Sequence, residues 1–164
     1  MSKYQLAQLN VASLKAPLDS PELKDFVDNL DRINELAEGS AGFSWRLKGD
    51  GNDATSLRPL GDNVIINMSV WRDASSLKDY VYKSAHVEIM RRKREWFSRM
   101  ADAHLALWWV PEGHEPSVAE AVARLEHLRQ HGPTSEAFTF TEAFAAPDAQ
   151  SAGARFSFKD SCPA

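Results

Sequence analysis

His86, Asn10 and Asn67 are the residues of this chain whose types suit proton transfer and the orienting of a small polar group. Imidazole titrates near neutrality and also ligates metals. A carboxamide both donates and accepts hydrogen bonds. His86 falls inside MSVWRDASSLKDYVYKSAHVEIMRRKREWF, residues 68–97, together with Trp71, Tyr80, Tyr82 and a basic run. It suits a pocket base or an axial haem ligand. It equally suits a structural histidine that hydrogen-bonds a helix break. Asn10, Asn67 and Trp71 are predicted to point to one side of a sheet, and Asn67 and Ser69 could also serve only local strand hydrogen bonds. Trp45, Trp71, Tyr82 and Trp108 would supply the apolar wall that a small-molecule pocket needs.

Other constellations carry less. Arg91, Arg92, Lys93 and Arg94 could bind an anionic substrate, although a solvated helix face explains such a run more simply. His127 and His131 have the i, i+4 spacing of a metal clip, but histidine also suits the last turn of a helix. With no cysteine or carboxylate motif beside them, no metal is predicted. There is no glycine-rich phosphate loop and no GxSxG, so nucleotide-dependent and serine-hydrolase chemistry have no support.

The elements that must position these residues are read from periodicity. Residues 3–11, KYQLAQLNV, alternate as a strand, with Ala7, Leu9 and Val11 on one face and Leu6, Gln8 and Asn10 on the other. Ser20-Pro21 opens a helix whose stripe is Leu23, Phe26, Val27, Leu30, Ile33 and Ala37, stopped at Gly39. Residues 42–48 make a second strand, with Phe43, Trp45 and Leu47 on one face. A polar, glycine-bearing loop leads to a third strand over 63–71. Both of its faces are partly apolar, so both should be covered.

The next helix begins near Ala74 and carries two apolar rows, which predicts a break near Ser84-Ala85. AHLALWWV, residues 103–110, reads as a fourth strand. Ser117 and Glu120 form a capping box for a third helix, stopped by Gly132-Pro133. Residues 138–141 suggest a short added strand. Beyond Pro147 the composition predicts a disordered tail over 148–164, leaving one domain over 1–147.

Strand, helix, strand, strand, helix, strand is the split βαβ order of an α+β, ferredoxin-like antiparallel sheet, here with an extra C-terminal helix. Helices on one face would leave Leu6, Trp45, Ile65, Trp71 and Trp108 open on the other. Two copies pairing face to face would bury that patch, so a homodimer forming an α/β barrel is expected.

YQLAQLNVASLKAPLDSPELKDFVDNLDRINELAEGSAGFSWRL, NMSVW, YVYKSAHVEIMRRKREWF and ALWWVPEGHEPSVAEAVARLEHLRQHGPTSEAFTF together resemble an uncharacterised bacterial family, a domain of unknown function. That family is grouped with the dimeric α/β-barrel proteins, the superfamily of the antibiotic-biosynthesis monooxygenases. The resemblance spans residues 3–147 and implies the fold more than the chemistry. In monooxygenase-like relatives an asparagine, a tryptophan and a histidine can hold substrate and oxygen. In haem-degrading relatives a helix tryptophan and a later histidine matter. Tyr80 stands at the tryptophan-like place here and Met90 at the histidine-like place, which speaks against haem degradation.

The expectation is therefore a small-molecule-handling protein. Its catalytic form would be a cofactor-independent monooxygenase or isomerase acting on a small aromatic or lactone-like metabolite. His86 would be the base, with Asn10 and Asn67 orienting polar groups. The alternative is a non-catalytic protein that binds haem or another hydrophobic metabolite. The net charge of −4 gives no global pull toward nucleic acid or a membrane surface. A single cysteine, Cys162, excludes an internal disulfide, and no signal peptide or membrane span is evident, so a cytoplasmic location is expected.

Overall fold

The structure is a computed structural model that describes residues 2–83, 86–149 and 155–156, with only the backbone described for His86, Arg155 and Phe156. Strand β1 (Tyr4–Leu14) lies at the centre of an antiparallel sheet. One flank of it pairs with β3 (Val64–Trp71), and β3 pairs with β2 (Phe43–Arg46). The other flank pairs with β5 (Leu105–Pro111) along its first half and with the two-residue β4 (Phe97–Ser98) at its end. The order β5-β1-β3-β2 is that of the ferredoxin-like α+β fold.

The register decides which residues share a face. Ala7 lies between Val70 and Trp108, and Leu6 between Trp71 and Trp109. Residues paired across strands project to the same side. Leu6, Gln8, Asn10, Asn67, Ser69 and Trp71 therefore share one face, and Ala7, Leu9, Val11, Met68, Val70 and Trp108 share the other.

Helices cover both faces. The first face is covered by α1 (Lys24–Glu38), α2 (Ala74–Lys83) and α3 (His86–Arg91); Ala37 and Leu77 pack with Leu6 and Trp71, and Leu23, just ahead of α1, packs with Ile65. The second is covered by α5 (Val118–His131), through Ala121, Leu125 and Leu128. The short α4 (Lys93–Trp96) inserts Trp96 beside Leu14 and Leu23.

The patch expected to stay open is thus divided. Leu6, Ile65 and Trp71 lie under α1–α3, while Trp45 and Trp108 lie on the α5 side. The division at β2 has a local cause. The register shifts between Phe43, paired with Trp71, and Trp45, paired with Val70. Such a bulge sends two residues that ought to share a face to opposite faces. Among the described residues only Val27, 37% exposed, is a large hydrophobic side chain left open. The described residues therefore expose no large apolar patch that a second copy would have to cover.

Other differences are smaller. Pro21–Leu23 is a 3₁₀ turn ahead of α1, and the Ser20 hydroxyl donates to Pro17 O rather than capping it. The true capping contact at α2 is Asp73, whose carboxylate accepts from Ser76 N at 2.8 Å. The strand expected at 138–141 reduces to one bridge, Phe138 with Leu107. Ser117 does cap α5, accepting from Glu120 N at 3.0 Å. The Glu120 carboxylate, however, reaches Trp108 Nε1 (2.9 Å) and His114 Nε2 (2.7 Å). The expected break at Ser84-Ala85 lies outside the described residues. So does most of the tail, although β6 (Ala143–Phe144) pairs with β7 (Arg155–Phe156).

Candidate functional site

The first face is not fully covered. Asn67 is in the middle of central strand β3, between buried neighbours Ile66 and Met68, yet it is exposed. Its exposure opens onto a cavity of ≈ 160 Å³ between the sheet and the helices. Asn10, Ala12 and Ile65 form its floor. Leu30, Ile33 and Asn34 of α1, Tyr80 of α2, and Ile89 and Met90 of α3 form its walls. Lys93, Phe97 and the Asp53–Thr55 stretch complete the lining. The apolar stripe of α1 explains the gap: Leu30 and Ile33 are only half-buried because they face this space.

Three carboxamides meet here. Asn10 and Asn67 are register partners. The Asn67 Oδ1 accepts from Gln8 Nε2 at 2.8 Å, and Gln8 Nε2 also donates to Ser69 Oγ at 2.7 Å. Ser69 Oγ in turn accepts from Trp71 Nε1 at 2.8 Å. This chain of bonds fixes the Asn67 oxygen, and Asn67 lines the cavity. Asn34 differs: it is only 7% exposed, lines the cavity, and its side chain has no hydrogen-bond partner among the described residues. Leaving a buried amide unpaired costs about 1–3 kcal/mol, a cost that a polar group entering the cavity would remove.

Tyr80 is held rather than reactive. Its ring stacks on Trp71 at 5.1 Å, its hydroxyl donates to Ile33 O at 3.3 Å, and burial pushes its phenol well above the usual range. It is a neutral donor at any ordinary pH. Arg46, also buried, is used structurally: it bonds Glu38 Oε1 at 2.6 Å and both the backbone and side-chain oxygens of Asn52.

A second cavity of ≈ 260 Å³ adjoins the first and shares Asn10, Ala12, Met90, Lys93 and Phe97 with it. It adds Arg94, Ser98, Arg99 and His104. Burial first, and then Lys93, with Arg94 and Arg129 adding, push the His104 imidazole below its ordinary value, against a hydrogen bond to the Asp102 backbone. At neutral pH it is uncharged.

The residues singled out from sequence distribute unevenly. Asn10 and Asn67 line the cavity. Trp71 is fully buried behind Tyr80 and forms part of the core rather than the wall. Trp45 and Trp108 are on the opposite face, where strand register and the β2 bulge put them. Tyr82 packs edge-on to Phe140 at 6.0 Å. His86 begins α3, but its side chain lies outside the described residues. His127 bonds Thr134 Oγ1 at 3.1 Å, and its ring lies tilted against that of His131 at 4.5 Å. Sequence reasoning missed Asn34, Tyr80 and His104 as cavity residues. Asn34 was detectable, since it is a polar residue one step from Ile33 on the buried side of an apolar stripe.

The chain belongs to the family described as a domain of unknown function (DUF3291), which matches residues 5–155. No curated protein sequence matches it. Among solved structures it is similar to a protein of unknown function from Nitrosomonas europaea (13% identity, 70% of this chain and 95% of that one, TM-score 0.44). A Pseudomonas aeruginosa protein matches at 12% identity, over 70% and 98%, with TM-score 0.46. A dabb family protein with a ferredoxin-like fold from Mesorhizobium loti matches at 16%, over 69% and 98%, with TM-score 0.40. No helix among the described residues is long and apolar enough to cross a membrane.

Proposed function

We propose that this member of the family handles a small organic molecule, held between the sheet and α1–α3 with its polar group against Asn10, Asn34 and Asn67. The observation that carries the proposal is the buried, unpaired amide of Asn34 facing a space with apolar walls. Pockets for drug-sized ligands span about 300–1,000 Å³. The ≈ 160 Å³ here favours a molecule of about one ring and argues against haem. One chain supplies every wall, so a homodimer is not needed to complete the site.

The catalytic form of this proposal is a cofactor-independent oxygenase or isomerase acting on a small aromatic or lactone-like metabolite. Such chemistry needs a neutral base at working pH. His104 is uncharged and borders the adjoining cavity, and Tyr80 is too weakly acidic to serve. The asparagines would orient the carbonyl or hydroxyl of the bound molecule.

Titration with phenylacetamide, followed by amide and indole NMR signals, tests the binding. Shifts are expected at the side-chain amides of Asn10, Asn34 and Asn67, with the Trp108 indole on the opposite face unmoved. Shifts centred on Trp108, or none at the three asparagines, would overturn the proposal.

A further inference from the structure

We propose that the second cavity is an anion site, so that the molecule handled here is a single-ring organic anion whose ring carries the polar group that meets the asparagines and whose charged head lies beside Lys93, Arg99 and His104. The proposal rests on the small-molecule reading above and names the ligand class.

The lining is unusual in sign. A chain with net charge −4 presents three cations at this cavity, Lys93, Arg94 and Arg99, and no aspartate or glutamate. Arg92, next in the chain, is not part of this lining: it pairs with Asp25 and Glu95, both at 2.8 Å, and lies 4.9 Å over the Trp96 ring. Arg99 has no hydrogen bond or ion pair among the described residues. The depressed basicity of His104, to which Lys93 and Arg94 contribute, reports the same positive field. Lys93 lines both cavities, so a head group at Lys93 leaves its body over Asn10 and Phe97. Charge-assisted bonds of this kind are roughly twice as strong as neutral ones.

Calorimetry on the full chain, with phenylacetate, benzyl phosphate and the neutral isostere phenylacetamide, tests the assignment. The wild type is expected to prefer an anion over phenylacetamide by about tenfold, roughly 1.4 kcal/mol. Arg99→Gln, at an exposed position, is expected to reduce that preference several-fold, and Lys93→Gln to reduce it further. Tighter binding of phenylacetate than of benzyl phosphate assigns a carboxylate head, and the reverse order a phosphate. Phenylacetamide binding equal to or tighter than both anions overturns the anion site alone. A preference that survives in both variants does the same. Failure of phenylacetamide to reach the three asparagines removes the small-molecule reading beneath it.

Discussion

The two faces of this sheet use similar residues to opposite ends. Under α5, Ala7, Leu9, Val11, Met68, Val70 and Trp108 are all at most 2% exposed, packed against Ala121 and Leu125. In this layer the Trp108 indole N–H is answered by Glu120. Under α1–α3, the same strands present Gln8, Asn10, Asn67 and Ser69, and the buried Asn34 amide of α1 goes unanswered among the described residues. Close packing with every polar group paired is how a face supplies stability. A half-filled face with an unpaired amide gives up stability, and that loss is explicable if the space is meant to be filled by something else.

The sharpest way to break this comparison is to damage the closed face. Trp108→Ala should cost about 3–5 kcal/mol in urea unfolding, because the helix and sheet cannot collapse around so large a void. A cost under about 1 kcal/mol would mean that the α5 layer is not the stabilising one.

The opposite sign is expected across the sheet. Asn34→Leu keeps the branched shape of the side chain, removes the unpaired amide and extends into the cavity, so it should stabilise the protein by about 1–2 kcal/mol while weakening phenylacetamide binding. Substituting Glu120 with Gln is milder. Burial pushes the Glu120 carboxyl up, but its bonds to His114 and Trp108 outweigh this and hold it below the usual range. A carboxyl lowered on folding contributes stability above its unfolded value and loses it as pH falls through the folded one. Glu120→Gln should therefore flatten the loss of stability below about pH 4.5 that the wild type shows.

The smallest effect belongs to His104. Its folded value is lowered, so below its ordinary value of 6.5 the unfolded chain takes up a proton first. Stability should fall as pH drops from 6.5, and His104→Gln should remove that slope. A slope unchanged in the variant would assign it to another group.

The closed face and the order of elements were legible in the sequence. The β-branched, largely apolar run over residues 63–71 located β3 to within a residue, and Ser117 with Glu120 located the start of α5. The cavity was partly legible, because Asn10 and Asn67 fall in phase on strands that pair. The rest depended on long-range geometry. FSWRL alternates as if regular, and nothing local announces the bulge that turns Trp45 away from Phe43. Two adjacent tryptophans at 108 and 109 must face opposite ways, and only the register with Leu6 and Ala7 decides which goes where. His104 read as the edge of a strand. Its meeting with Lys93, Arg94 and Arg99 follows from β1 pairing with β4 and β5 on the same flank.

The central claim is that the face under α1–α3 sacrifices stability for a ligand. Urea unfolding of wild type and Asn34→Leu, each with and without phenylacetamide, tests it most directly. The account predicts that the variant is the more stable of the two without phenylacetamide, and that adding it stabilises the wild type alone. A variant less stable than wild type, or one that phenylacetamide stabilises equally, would contradict it.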